Sequence, residues 1–210
     1  MLEYTEYTKF LVGLIAVVNP LGAVPIFIAL TGNTSNKDRR EISKLVVLSV
    51  CIILFVSLFF GHALLRFFGI TIDSFRVAGG ILILLMAISM LQARLSAAVH
   101  TKEEEQEGMT KESIAVVPLS MPLLAGPGAI STVILFSHKG SGIGHYFLAG
   151  LDIFLLSIIL LTVFQFIPWI SRTISQTGIN IFTRIMGLIL AAIAIEFIAN
   201  GLKGLFPALV

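Results

Sequence analysis

The segment Pro20-Leu21-Gly22-Ala23-Val24-Pro25 returns in looser form as Pro122-Leu123-Leu124-Ala125-Gly126-Pro127. An offset of 102 residues lays proline on proline, leucine on leucine, alanine on alanine and proline on proline. Both copies sit in apolar runs long enough to cross a membrane. Proline has no amide hydrogen and collides with the carbonyl four residues before it, so no helix passes undisturbed through either copy. The sequence therefore predicts two interrupted membrane helices, one in each half, an arrangement found in secondary transporters.

The membrane itself follows from composition. The chain has 210 residues, 57% of them hydrophobic and only 12% charged, with a mean hydropathy of +1.00. A water-soluble domain of this size has no use for so much apolar surface, so the apolar faces must meet lipid. The net charge of +2 comes without a basic, aromatic-interleaved patch, which excludes nucleic acid as a partner. Cys51 is the single cysteine and excludes both an intrachain disulfide and a paired-cysteine metal site. The acidic start, Glu3 and Glu6, argues against a cleavable signal peptide, so the first apolar segment is expected to be retained.

Six segments approach the roughly 20 apolar residues that a membrane helix needs. They are residues 10–31, 45–65, 75–91, 113–136, 146–166 and 182–201. The polar stretch 92–112, with Lys102 and the Glu103–Glu107 run, divides them three and three. Lys37, Arg39, Arg40, Lys44, Arg94, Lys102, Lys111, Arg172 and Arg184 fall at one side of the membrane, nine in all. Lys9, Arg66, Arg76, Lys139 and Lys203, five in all, fall at the other. Positive charge favours the cytoplasmic side, which puts both termini outside the cytoplasm.

A second internal match joins the third and sixth segments. Arg76-Val77-Ala78-Gly79-Gly80-Ile81-Leu82 aligns with Arg184-Ile185-Met186-Gly187-Leu188-Ile189-Leu190 at an offset of 108, with four identities in seven. Three spans per half is an odd number, so the second half enters from the opposite side. The expected fold is an all-α membrane protein of six transmembrane helices in two inverted three-helix repeats, helices 1 and 4 being interrupted near the midplane. Residues 1–92 form the first repeat, 93–112 a polar cytoplasmic linker and 113–210 the second repeat.

The breaks are the expected binding site. Asn19-Pro20 lies about 15 Å into its span, near the centre of a core about 30 Å thick. Irregular backbone at that depth is tolerated where it is buried in protein or lines a wet cavity. An interrupted helix leaves free carbonyls before the break and free amides after it. The amides suit a carboxylate and the carbonyls an ammonium, so a zwitterionic amino acid matches both. Asn19, Pro20, Leu21, Gly22, Ala125, Gly126, Pro127, Gly128, Ser131 and Thr132 are the candidate substrate-binding residues. The bland alternative is that each proline merely kinks its helix, and Pro25 and Pro118 taken singly read that way.

Ionisable groups at membrane depth are costly and mark function. Glu196, with Asn200 four residues on along the same helical face, is the candidate coupling residue. The alternative is a structural hydrogen bond or a carboxylate reached by outer water. Asp152 comes early in its span and reads as near the interface. His62 and Gln165 sit near span ends. Arg76 and Arg184 start their helices, and Trp169 and Tyr146 read as interfacial aromatics. Gly79, Gly80, Gly187, Ala191 and Ala194 allow close helix approach.

The residues 19–22, the run Pro118-Leu119-Ser120-Met121-Pro122 through Ser131, Ile72–Leu82, Gln176–Asn180, Arg184–Leu188 and Ile195–Ile198 together resemble the MarC family of integral membrane proteins, closest to its YchE-like branch. The resemblance covers essentially the whole chain. It implies a multi-pass protein of the bacterial inner membrane, similar to neutral amino acid transporters. The implied cargo is small, like glycine or alanine, or a related small metabolite, with H+ or Na+ as the coupling ion and membrane lipid as the surroundings. No cofactor and no metal are implied.

The rival classes are an intramembrane enzyme, for which Ser131, His62, Asp152 and Glu196 are the scarce candidates, and a passive channel or structural membrane protein. No HExxH, paired-acid or Walker motif is present, so no enzyme activity and no ATP-driven step is expected. On the transport reading, Pro127→Ala or Gly128→Leu should abolish transport while leaving insertion intact.

Overall fold

A computed structural model of the chain describes residues 2–31, 34–92, 119–121, 124–167, 169 and 175–207. Pro118, Pro122, Leu123, Arg94, Lys102, Lys111, Arg172 and the polar linker 93–112 lie outside the described residues. Seven helices are described: α1 Tyr4–Val18, α2 Val24–Thr31, α3 Asn36–Phe67, α4 Ile72–Leu91, α5 Pro127–Lys139, α6 Ile143–Gln165 and α7 Gln176–Leu205. No strand occurs among the described residues.

The helices begin and end where side chains satisfy the free backbone groups. Ser35, Thr71 and Ser175 each accept an amide from the residue three further on, at 3.1, 3.2 and 3.2 Å, and so start α3, α4 and α7. α3 stops at Gly69, whose φ of +68° lets the amides of Gly69 and Ile70 turn back to the carbonyls of Arg66 and Leu65. These caps lie in the polar flanks, so α3 and α7 run several residues past the apolar segments at 45–65 and 182–201. Polar residues continue a helix as readily as apolar ones once its end is capped.

α3, α4, α6 and α7 are each long and apolar enough to cross a bilayer. α1, α2 and α5, with 15, 8 and 13 residues, are not. α1 and α2 together span Tyr4–Thr31, and the break between them explains why neither reaches full length alone. At 1.5 Å per residue α5 covers about 20 Å, so the segment before it must supply the rest of any crossing.

Ring contacts fix how the elements lie. Tyr7 and Phe10 of α1 meet Phe136 near the end of α5, while Val17 of α1 faces Gly128 at its start, so α1 and α5 are antiparallel. Tyr7 hydrogen-bonds His145 and Phe27 stacks on Phe164 at 4.7 Å, so the α1–α2 pair runs parallel to α6. Phe59 stacks on Tyr146 and Phe55 faces Gly150, so α3 runs antiparallel to α6. The core they enclose holds Leu14, Phe27, Leu54, Leu58, Ile153, Leu156 and Leu160, all at most 1% exposed.

α4 and α7 flank this core as an antiparallel pair. A Cβ on Gly80 would lie 2.9 Å from the Ala194 carbonyl, and one on Gly187 would lie 3.1 Å from the Ala87 carbonyl. These glycines bring backbone against backbone, as small residues do at membrane helix contacts. Elsewhere α3 and α7 turn Leu48, Ile52, Val56, Phe60, Ile185 and Leu188 outward, which suits lipid.

Candidate functional site

The two breaks are built differently. In the first, Asn19 ends α1 in the left-handed conformation, φ 47°, which asparagine adopts more readily than most residues. Its amide donates to the Ile15 carbonyl at 2.9 Å and its Oδ1 accepts the Gly22 amide at 3.2 Å. Gly22 is obligatory in this turn, because a Cβ there would overlap the Asn19 side-chain amide. The Ala23 amide donates to the Asn19 carbonyl and the Val24 amide to the Leu21 carbonyl, at 3.3 and 3.2 Å. The amides of Gly22, Ala23 and Val24 are thus satisfied within the turn.

The carbonyls leaving α1 are not. Pro20 has no amide to offer the Ala16 carbonyl, the Gly22 amide that would serve Val18 is held by Asn19 Oδ1, and no turn bond to Val17 forms among the described residues. Ala16, Val17 and Val18 are at most 3% exposed.

The second break reverses this. Residues 119–121 make a wide helical turn, and the Ala125 amide reaches back five residues to the Ser120 carbonyl at 2.8 Å. Ser120 also anchors this turn to α3 by donating to the Val46 carbonyl at 3.3 Å. Gly126 then occupies the N-cap of α5 without any side chain to accept an amide, and Pro127 follows inside the first turn. The first helical bond is that of the Ile130 amide to the Gly126 carbonyl, at 3.1 Å. The amides of Gly128 and Ala129 precede it and have no cap, though both residues are buried.

The carbonyl end of α1 and the amide end of α5 are neighbours. A Cβ on Gly128 would lie 3.3 Å from Val17 Cγ1, 3.1 Å from Met86 Sδ and 3.2 Å from Ile83 Cγ1. Because α1 and α5 are antiparallel, carbonyls pointing out of the end of one and amides pointing out of the start of the other face the same direction. The contacts of Tyr7 with His145 and Phe27 with Phe164 set Asn19 level with Ser157, three residues past the middle of α6. Both breaks are therefore level with the middle part of α6.

The predicted side chains take less direct parts. Thr132 donates its hydroxyl to the Gly128 carbonyl at 2.8 Å, which fixes the first turn of α5. Ser131 is buried against α4, where a Cβ on Gly79 would come within 2.8 Å of its own. Pro20 and Ala125 are buried, Asn19, Leu21 and Gly22 half-buried, and Pro127 exposed. Glu196 and Asn200 are exposed, on the peripheral helix α7, and do not join the breaks in the buried core. Glu196 adds to the field that favours the charged form of Lys9, behind the larger effect of Glu6, which hydrogen-bonds Lys9 at 2.8 Å.

One group escaped the sequence reading and another is placed differently from it. His145 is fully buried: its Nε2 bonds the Phe136 carbonyl at 3.2 Å, so it donates there, and its Nδ1 accepts from the Tyr7 hydroxyl at 3.0 Å. This chain ties α1, α5 and α6 together at one end. Asp152 does not lie near the interface. It is the tenth residue of α6, 7% exposed, on the face shared with Ala149, Ile153 and Leu156. The spacing of those apolar residues is the signal that could have placed it. Among the described residues no cluster of His, Cys, Asp or Glu could hold a metal ion.

Four helices long and apolar enough to cross a bilayer, with large apolar side chains turned outward, define an integral membrane protein. The chain belongs to the MarC family: the pattern described as MarC family integral membrane protein matches residues 4–206. It is 45% identical over 207 residues to UPF0056 membrane protein YhcE of Escherichia coli (strain K12), covering 99% of this chain and 96% of the relative. It is 46% identical over 207 residues to UPF0056 membrane protein BU267 of Buchnera aphidicola, again covering 99% and 96%. The archaeal UPF0056 membrane protein MJ1677 of Methanocaldococcus jannaschii is 43% identical over 190 residues, 90% of this chain and 92% of the relative. These names give no substrate. No solved structure matches the chain.

Proposed function

We propose that this protein is a secondary transporter of small neutral amino acids, glycine- or alanine-like, or of related small metabolites, in the bacterial inner membrane. One observation carries the reading: unpaired carbonyls at the end of α1 adjoin uncapped amides at the start of α5, at one depth and pointing one way. Carbonyl ends attract an ammonium and amide ends a carboxylate, so the pair matches the two charges of an amino acid.

The architecture supports the same reading. α1–α2, α3 and α4 make three crossings, and the segment through α5, α6 and α7 makes three more of opposite sense. The antiparallel packing of α4 on α7, the two segments that match in sequence, is compatible with an inverted repeat. Lysine and arginine counts put both termini outside the cytoplasm. The break residues are largely buried, so this arrangement corresponds to an occluded state, and alternating access requires the breaks to open to each side in turn.

The test is exchange of radiolabelled glycine or alanine across proteoliposomes holding the purified protein. Saturable exchange is the expected result. Failure of both to move and of both to raise the melting temperature would end the reading.

A further inference from the structure

Asp152 is a carboxylate near the middle of α6, a helix long and apolar enough to cross a bilayer, and one of its oxygens is unpaired among the described residues. It stands about 14 Å along α6 from Ile143, against a hydrocarbon core about 30 Å thick. Its Oδ2 is sealed from solvent and finds no hydrogen-bond partner among the described residues. The hydroxyls of Ser57, Ser157 and Thr132 are committed to the carbonyls of Ile53, Ile153 and Gly128 on their own helices, and Ser131 packs against Gly79 of α4.

Among the described residues no counter-charge faces it. On α1 the titratable groups are Tyr4, Glu6, Tyr7 and Lys9, all in the first two turns, with Lys9 turned to Glu6. α2 has none. On α3, Cys51 is nearest in level; His62 and Arg66 lie toward one end, and Lys37, Asp38, Arg39, Arg40, Glu41 and Lys44 toward the other. α5 carries only His138 and Lys139, at its last turn. On α6 itself, His145 is two turns away and bonded to Tyr7 and Phe136.

An ionised carboxylate in such surroundings costs several kcal/mol. A proton on the carboxyl removes most of that cost and needs no further ligand, whereas a sodium ion needs several oxygens.

We propose that Asp152 is a proton-binding site that couples proton movement to substrate movement. The inference rests on the transport reading for its coupling, though not for the proton itself. In the occluded arrangement the carboxyl is neutral. When α6 opens to water on one side, the O–H bond breaks, the proton passes to that water and the carboxylate is hydrated. Reprotonation from the other side restores the neutral group. Asn19 is level with Ser157, five residues or about 8 Å along α6 from Asp152, so a bound ammonium and this carboxylate lie within each other's field.

Two measurements on the purified full-length protein test this. Infrared spectroscopy should show a protonated-carboxylic carbonyl band that disappears in Asp152→Asn. In proteoliposomes, Asp152→Asn should still exchange radiolabelled glycine at equal pH, while accumulation driven by a pH gradient falls at least about fivefold, the low end for coupling between two ligands. Asp152→Glu should recover part of that accumulation. Gradient-driven accumulation unchanged in Asp152→Asn would overturn the proposal. So would loss of exchange in a folded Asp152→Asn, which would make the residue part of the substrate site. If the wild type moves neither glycine nor alanine, the transport reading fails. The infrared band still decides separately: its absence from the wild type would overturn the proton site.

Discussion

The two breaks begin as near-copies in sequence and end with opposite polarity. At the first, Asn19 and Gly22 close a turn that consumes amides and leaves carbonyls. At the second, Gly126 and Pro127 open a helix that leaves amides and consumes no side chain. Pro20 denies the Ala16 carbonyl its helical partner, whereas Pro127 only opens a helix. The residues between and around them decide which pole of the peptide dipole is left over. A repeat of four identical letters thus yields a site with a positive and a negative end.

The largest expected effect comes from Gly128→Leu. A side chain there must displace Val17, Ile83 or Met86, and overpacking of this kind costs about 1–3 kcal/mol. Glycine exchange should vanish while the protein still inserts, as membrane fractionation and size-exclusion profiles would show. Retained exchange would mean that the amide end of α5 is not where cargo binds.

Asn19→Ala attacks the other break. It removes the Oδ1 cap and leaves a less tolerant residue in the left-handed region, each costing about 1–2 kcal/mol. A lower melting temperature in detergent is expected, with Asn19→Gly recovering part of it because only the strain is relieved. Equal losses in the two variants would show that the cap, and not the backbone, holds the first break.

Pro127→Ala should do less than the sequence alone suggests. Proline in the first turn removes no helical bond, and alanine fits the same conformation. Exchange is expected to fall only about twofold or less, the scale of a few tenths of a kcal/mol. Complete loss would return Pro127 to the role that the repeat first implied.

The smallest effect lies at the far end of α5. Burial, and then the charges of His62 and Arg76, hold the His138 imidazole below its usual 6.5, with Asp73 opposing. The unfolded chain therefore binds the proton more readily, so stability is full above pH about 6.5 and declines as pH falls below it. Melting temperatures across that window should show the decline shrinking in His138→Gln. The same slope in that variant would assign the acid sensitivity elsewhere.

The sequence disclosed the breaks because proline's missing amide acts wherever it stands, whatever packs around it. It disclosed the close approach of α4 and α7 for a similar reason, since Gly80 and Gly187 have no Cβ in any context. It misjudged Asp152 and left Glu196 undecided. Depth and polarity are readable from a span, but the face presented to neighbours depends on which helices pack there. α6 lies in the core and buries Asp152, whereas α7 flanks it and exposes Glu196. Nor did the sequence show that Asn19 spends its side-chain oxygen on Gly22, because that bond exists only once the turn has formed.

The backbone-to-backbone seam of α4 and α7 has a mechanical consequence. With Gly80 on the Ala194 carbonyl, Gly187 on the Ala87 carbonyl and Gly201 on the Asp73 carbonyl, and with Ile198, Met90 and Val77 packed onto the same three glycines, the two helices are closely interlocked. The two act as one beam. The beam bears on α5 through Gly79 at Ser131 and through Ile83 and Met86 at Gly128. A tilt at either end of it is delivered, nearly undamped, to the first turn of α5.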